Sequence, residues 1–103
     1  MNLTSFLQDK RLTIALKGEI DHHSAKDTMR VVGNKIDLYL PVCCVLDFRE
    51  VSFMDSSGIA LLLRLHRSLS LTGGRLKVVK VPQQAAKVLK AAGLGKLFSI
   101  SYL

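Results

Sequence analysis

The feature that most constrains the fold is a nearly continuous apolar run at residues 42–48, followed by a Leu-rich segment at about residues 57–71. A strand that is apolar on both faces is typical of the middle of a parallel sheet flanked by helices. The Leu-rich segment has apolar residues at helical spacing and ends before Gly73 and Gly74. The sequence therefore predicts a buried strand that leads directly into a helix.

The rest of the chain continues this alternation of strands and helices. Residues 12–17 alternate between apolar and polar side chains, as a half-buried strand does, and Gly18 closes them. Before this strand, residues 3–7 are predicted to form its hairpin partner, with a turn at residues 8–10. A helix is predicted at residues 24–39, ended by Pro41, and a strand at residues 75–81. A further helix begins at Pro82 and ends at Gly93, and a short strand follows at residues 97–100. The order β-β-α-β-α-β-α-β predicts an α/β fold with a mixed, mostly parallel sheet, in a single domain that spans residues 1–103.

The first two predicted helices carry patterns that indicate their starts and their buried faces. Ser24 and Asp27 have the spacing of a capping box at the start of the first helix. In the second helix, Leu61 and Leu65 fall off or at the edge of the main apolar stripe, so we expect them to be exposed contacts for a partner. The predicted stripes are Met29, Val32, Ile36 and Leu40 in the first helix, and Ile59, Leu62, Leu63, His66 and Leu69 in the second.

Composition and charge bear on the compartment and on the partners. No apolar run approaches the roughly 18 uncharged residues of a membrane span, and residues 1–5 lack the features of a signal peptide. We therefore expect a cytoplasmic protein without membrane contact, in which Cys43 and Cys44 are reduced thiols on opposite faces of a strand. The net charge is +7, but the cations are scattered and aromatic residues are few, so we do not expect direct nucleic-acid binding, and an acidic protein partner fits the charge equally well.

Residues 55–58, Asp-Ser-Ser-Gly, place two hydroxyl groups at the predicted start of the second helix. A helix start has unpaired backbone N–H groups and the positive end of the helix dipole, and both favour a phosphoryl group. Asp and Ser are also ordinary capping residues. Helix geometry alone does not choose between Ser56 and Ser57 as a phosphorylation site.

Enzymatic chemistry has little support in the sequence. Ser56, His22 or His23, and Asp21 supply the residue types of a hydrolase triad, but the Gly-x-Ser-x-Gly pattern of a nucleophile elbow and the Gly-rich phosphate loop are absent. Adjacent histidines in a turn rarely bind one metal ion, and no third ligand is evident. We therefore expect a protein that is not an enzyme and that holds no metal or cofactor.

Several segments together resemble a known family. Residues 18–23, Gly-Glu-Ile-Asp-His-His, are followed by Val-Leu-Asp-Phe at residues 45–48 and by Phe-Met-Asp-Ser-Ser-Gly at residues 53–58. With the Gly-Gly before the fourth strand and the Ala-Gly-Leu near the end of the third helix, they resemble the STAS domain of the anti-sigma factor antagonist family. The resemblance covers essentially the whole chain and is closest to the sporulation-type antagonists.

The resemblance implies a partner switch in transcription regulation, in sporulation or stress response. In that family the first serine after the aspartate, here Ser56, is phosphorylated by a partner that is both a serine kinase and an anti-sigma factor. The unmodified protein binds this kinase and frees the sigma factor, phosphorylation ends the complex, and a serine phosphatase reverses the modification. Asp21 matches a family residue at the partner surface, and we expect Asp55, Ser57 and Gly58 around the same surface.

One residue of the motif region departs from the family pattern. Ala60 stands where many relatives have a second glycine, which bears on the fit to the partner. The alternative interpretation is a STAS scaffold subunit of a stress-signalling assembly, which would not control a sigma factor directly and would assemble into large particles. The antagonist is expected to be a monomer or a weak dimer, so particle size distinguishes the two.

Overall fold

The structure, a computed structural model, describes residues 2–103 and confirms the predicted order of strands and helices. The strands are β1 (Asn2–Gln8), β2 (Arg11–Ile20), β3 (Cys43–Met54), β4 (Arg75–Val81) and β5 (Ser99–Tyr102). The α-helices are α1 (Ser24–Tyr39), α2 (Ser56–Leu71) and α3 (Gln83–Ala92), and a 3₁₀ turn at Leu94–Lys96 precedes β5. The fold is α/β, as predicted.

The sheet has five strands in the order β1-β2-β3-β4-β5. β1 pairs with β2 antiparallel, and every later pair of neighbours is parallel, which confirms the predicted mixed sheet. Asp9 and Lys10 form the hairpin turn with φ of 51° and 63°, and positive φ at both residues matches the right-handed twist of paired strands. Because crossovers between parallel strands are right-handed, a sheet in sequential order receives its helices on one face.

One face of the sheet carries the hydrophobic core, and α1, α2 and α3 pack against it. The strands contribute alternate side chains, and each helix contributes its apolar stripe. The core includes Leu12, Ile14, Leu16, Cys44, Leu46, Phe48, Leu76 and Val78 from the strands, and Val32, Ile36, Leu62, Leu65, Leu69 and Leu89 from the helices. Thr13, Val45 and Val79 lie on the opposite face, which none of the described helices covers.

The adjacent cysteines show this division between the two faces. Cys44 belongs to the core, whereas Cys43 lies half-buried on the other side of β3, and both thiols are free. Burial, with a smaller contribution from Cys43, raises the pKa of the Cys44 thiol to about 12. The Cys44 thiol therefore stays protonated at neutral pH, and the protonated form is a poor nucleophile.

Two strands extend further than the sequence predicted. β2 continues past Gly18 to Ile20, and β3 continues past Phe48 to Met54, so α2 does not follow the apolar run directly. The two extensions pair with each other through register shifts after Ala15 and after Gly18. Such irregularities break the strict alternation of buried and exposed residues. The extensions therefore do not appear in the sequence as apolar or alternating runs.

The buried face of α2 also differs from the prediction. Leu61 and Leu65 are only 2% and 0% exposed, so the prediction that they form exposed contacts is wrong. Leu63, which the sequence placed on the buried stripe, is 39% exposed. The reason is that α2 packs against α1 as well as against the sheet, which rotates and widens its buried arc. Leu40, which the sequence placed on the buried stripe of α1, is also exposed, because it is the residue in left-handed conformation that ends the helix.

The last strand, β5, begins at Ser99, two residues later than predicted, because a 3₁₀ turn at Leu94–Lys96 precedes it.

Candidate functional site at the ends of β2 and β3

The predicted site residues gather where β2 and β3 end side by side. Ile20 and Met54 are register partners at these ends, and the Asp55 N–H donates to the carbonyl oxygen of Ile20 at 3.2 Å. Asp21 and Asp55 are the next residues after this pair. The two aspartates, and the starts of α1 and α2 that follow them, therefore lie at one edge of the sheet.

Asp55 caps the start of α2. Its Oδ1 accepts the Ser57 N–H at 2.8 Å, and its carbonyl oxygen accepts the Gly58 N–H at 3.0 Å. These acceptors satisfy N–H groups that have no partner within a helix. The helix begins at Ser56, one residue earlier than the sequence predicted.

The two serines of this helix start are placed differently. Ser56 is exposed, whereas Ser57 is half-buried. Within residues 2–103 the Ser56 hydroxyl has no hydrogen-bond partner. The first turn of α2 therefore presents one free, accessible hydroxyl, next to the carboxylate that caps the helix.

Gly58 allows α2 to start close to the end of β3. It is buried, and a Cβ built on it would lie 2.4 Å from the Met54 Cγ and 3.3 Å from the Ile20 Cγ2. Met54 and Ile20 are both fully buried. A side chain at this position would require either the buried Met54 side chain or the first turn of α2 to move, so Gly58 permits the close approach of this turn to the strand ends.

The start of α1 is capped in a different way from the predicted capping box. Asp21 Oδ1 accepts the N–H groups of His23 at 2.9 Å and of Ser24 at 3.0 Å. The Ser24 hydroxyl donates to the Glu19 carbonyl oxygen at 2.7 Å and accepts the Asp21 N–H at 3.0 Å. Asp27 instead pairs with Arg30. The Ser24 N–H, followed by that of His23, holds the pKa of Asp21 below its usual value of 3.8.

Comparisons with known proteins identify the family. A family model described as the STAS domain matches residues 6–102. The chain belongs to the STAS domain family. The anti-sigma F factor antagonist of Paenibacillus polymyxa is 29% identical over 102 residues, which cover 97% of this chain and 87% of the relative. That of Lysinibacillus sphaericus is 31% identical over 84 residues, which cover 82% of this chain and 72% of the relative.

Solved structures agree with this assignment. The unphosphorylated form of the anti-sigma factor antagonist SpoIIAA has a TM-score of 0.83 at 27% identity, covering 96% of this chain and 87% of that one. The phosphorylated form, from Bacillus, has a TM-score of 0.74 at 27% identity, covering 96% of this chain and 90% of that one. The resemblance to anti-sigma factor antagonists that the sequence motifs indicated is thus confirmed.

Gln84 is a site residue of this STAS domain that the sequence did not reveal. Its side-chain Oε1 accepts the Met54 N–H at 2.8 Å, and its Nε2 donates to the Met54 carbonyl oxygen at 2.9 Å. The amide of α3 therefore completes the hydrogen bonding of β3 at the residue that precedes Asp55. No local pattern indicates this contact, because the partners are 30 residues apart in the chain.

The histidines of the STAS domain make ring contacts. His22 and His23 pack edge to face with centroids 5.7 Å apart, and His66 packs against Phe98 at 5.5 Å. Among residues 2–103 no three His, Cys, Asp or Glu side chains are close enough to share a metal ion. Within the same residues, no helix is long and apolar enough to cross a membrane.

Proposed function

We propose that this STAS domain is a phosphorylation-controlled partner switch. In the unmodified state it binds an anti-sigma factor serine kinase and so releases the sigma factor, and phosphorylation of Ser56 ends that complex. A serine phosphatase returns it to the binding state. The observation that carries the proposal is the exposed Ser56 hydroxyl, which has no hydrogen-bond partner among the described residues, at the capped start of α2.

The charge of the phosphate supplies the switch. A phosphoserine carries about −1.5 to −2 charges at neutral pH and three acceptor oxygens. The start of α2 tolerates this charge, because the helix dipole is positive there. A partner surface that fits a neutral serine next to Asp55 and Asp21 does not, because desolvating an unpaired charge at an interface is costly. The phosphate therefore disrupts binding and leaves the fold intact.

The same surface accounts for the other predicted contact residues. The Asp55 carboxylate fixes the backbone at Ser56 and Ser57, and the Asp21 carboxylate fixes the backbone at the neighbouring start of α1. Gly58 keeps the first turn of α2 close to the strand ends. A partner that reads this surface meets a rigid backbone with one free hydroxyl. The domain itself acts by binding and carries out no catalytic step.

The affinity for the anti-sigma factor kinase, measured with bound nucleotide, tests this proposal. Ser56→Ala is expected to keep the wild-type affinity, whereas Ser56→Glu is expected to lose at least about a hundredfold, because it carries a permanent charge into the interface. Ser99→Glu adds the same charge at an exposed position on β5 and is expected to bind like the wild type. Equal affinities of the wild type and Ser56→Glu would contradict the proposal.

Particle size separates the antagonist from the scaffold alternative. We propose that the purified protein is a monomer or a weak dimer, which sedimentation velocity measures directly. Large particles would favour a scaffold subunit of a stress-signalling assembly instead.

A further inference from the structure

A groove between the N-terminal parts of α1 and α2 lies beside the proposed switch residue. We name it the α1–α2 groove, and its volume is about 470 Å³. His22 and Ser57 line the groove, so it is continuous with the helix starts that hold Ser56. Its apolar lining consists of Ala25, Met29, Ala60 and Leu61.

The charged side chains that line this groove are all cationic. They are Lys26 and Arg30 from α1 and Arg64 from α2, and all three are exposed. Arg30 reaches Asp27 at 3.6 Å, in a pair whose side chains are both more than half exposed. Lys26 and Arg64 take part in neither of the two ion pairs found within residues 2–103. The groove therefore combines an apolar lining with two cations, Lys26 and Arg64, that have no ion-pair partner among residues 2–103.

We propose that the α1–α2 groove binds an acidic segment of the partner kinase that carries an apolar anchor residue. This inference rests on the proposed function and specifies the partner chemistry. Carboxylates of the segment would meet Lys26 and Arg64, and an apolar side chain would enter the groove between Met29 and Leu61. No Phe, Tyr or Trp lines the groove, so it offers little of the base stacking that nucleic-acid binding sites use.

This docking explains how one phosphate displaces a partner that makes contacts over a wider area. Ser57 lines the groove and follows Ser56 directly. A phosphate on Ser56 therefore adds negative charge at the end of the groove where the acidic segment would lie. Like charges repel most strongly when water is excluded between them. The cations attract the segment before modification, and the phosphate opposes it afterwards.

Charge reversal in the groove tests the inference against the kinase. Lys26→Glu combined with Arg64→Glu is expected to lower the affinity at least about tenfold and to weaken its salt dependence. The matched control combines Arg67→Glu with Lys87→Glu, which makes the same change in net charge at exposed positions outside the groove. The control is expected to stay within about threefold of the wild type.

Equal losses in the two double variants would overturn the inference, because overall charge alone would then explain them. The neutral pair Lys26→Gln with Arg64→Gln is expected to fall between the wild type and the charge reversal. This neutral variant replaces the charge reversal in the comparison if the reversed variant is poorly folded. A folded neutral variant that binds the kinase with wild-type affinity would also overturn the inference.

An acidic probe peptide tests the groove without the kinase. The peptide Glu-Leu-Glu-Glu-Leu-Glu, titrated into the ¹⁵N-labelled protein, is expected to shift the amide signals around Ala25, Met29 and Ala60, and the reversed variant is expected to lose these shifts. Shifts confined to the uncovered face of the sheet, or equal shifts at the groove from a single-stranded oligonucleotide, would overturn the inference.

The two experiments also separate this inference from the proposed function. If the wild type does not bind the kinase but the peptide maps to the groove, the proposed function fails and the acidic-segment site stands. If the kinase binds the wild type and both double variants equally, the groove fails and the switch at Ser56 stands.

Discussion

The two helices that meet at the site begin alike but differ in what their first residue does. α1 begins at Ser24, three residues after Asp21, whose carboxylate accepts the Ser24 N–H. α2 begins at Ser56, directly after Asp55, whose carboxylate accepts the Ser57 N–H. The Ser24 hydroxyl is fixed by hydrogen bonds to the backbone of Glu19 and of Asp21. The Ser56 hydroxyl is exposed and has no such partner among the described residues. One helix start is therefore structural, and the other is available for modification.

The third residues of the two helices extend this contrast. Lys26 of α1 is exposed, whereas Gly58 of α2 is buried against Met54. In α2 the backbone at Gly58 thus approaches the strand ends closely, while the side chain of Ser56, two residues earlier, is exposed. Because the backbone is held in place and the hydroxyl is free, a protein partner can distinguish the unmodified serine from the phosphoserine at this position.

The largest expected effect on stability comes from filling the space at Gly58. Gly58→Ala is expected to lower the free energy of unfolding by about 1–3 kcal/mol, because overpacking displaces buried neighbours, and its Cβ would lie 2.4 Å from the Met54 Cγ. Urea denaturation measures the change. Gly95→Ala is the control, since nothing lies within 4 Å of its added Cβ. Similar losses of unfolding free energy in the two variants would contradict the conclusion that Gly58 is needed for close packing at the start of α2.

The serine pair tests the contrast directly. Ser24→Ala is expected to cost about 1 kcal/mol, because it removes two hydrogen bonds to backbone groups. Ser56→Ala is expected to change the free energy of unfolding by less than about 0.5 kcal/mol, as for other surface substitutions. Thermal and urea denaturation of the two variants give the comparison. Equal costs would mean that the two serines do the same structural work.

Helix α3 contacts the strand end that precedes α2, through the hydrogen bonds of Gln84 with Met54. Gln84→Ala is expected to cost about 0.5–1 kcal/mol, because Met54 loses both side-chain partners but water can replace them in part. The control is Gln83→Ala at the neighbouring exposed position, which is expected to be neutral. Hydrogen exchange of the Met54 amide should accelerate in Gln84→Ala alone. Unchanged exchange there would show that Gln84 does not hold the end of β3.

The smallest effect concerns pH and the cap of α1. The pKa of Asp21 is lowered in the folded state, so its contribution to stability is present above its unfolded value of 3.8 and is lost as the pH falls through the folded value. The stability difference between the wild type and Asp21→Asn should therefore be constant from about pH 5 to pH 7 and shrink below that range. A difference that grows on acidification would contradict the capping role.

Much of this fold follows from local sequence. The apolar run at residues 42–48 and the glycines that stop α2 and α3 predicted the order of elements because each signal acts within a few residues. The parallel pairing of β2 with β3 then brings Asp21 and Asp55 to one edge. The far end of β3 was missed, since exposed polar residues interrupt its apolar pattern there.

The remaining features depend on contacts between distant segments. Leu61 and Leu65 are buried because α2 packs on α1 as well as on the sheet, which a single-helix pattern does not show. The hydrogen bonds of Gln84 with Met54 and the α1–α2 groove have the same origin. The capping role of Asp21 could have been predicted from the sequence, because an aspartate often accepts hydrogen bonds from the N–H groups two and three residues further on.

The most direct test of the central claim is the intact mass of three proteins after incubation with the candidate anti-sigma factor kinase and Mg-ATP. The proteins are the wild type, Ser56→Ala and Ser57→Ala. We predict one added phosphoryl group on the wild type and on Ser57→Ala, and none on Ser56→Ala. A phosphoryl group on Ser56→Ala, or none on the wild type, would contradict the assignment of the free hydroxyl at the start of α2 as the switch.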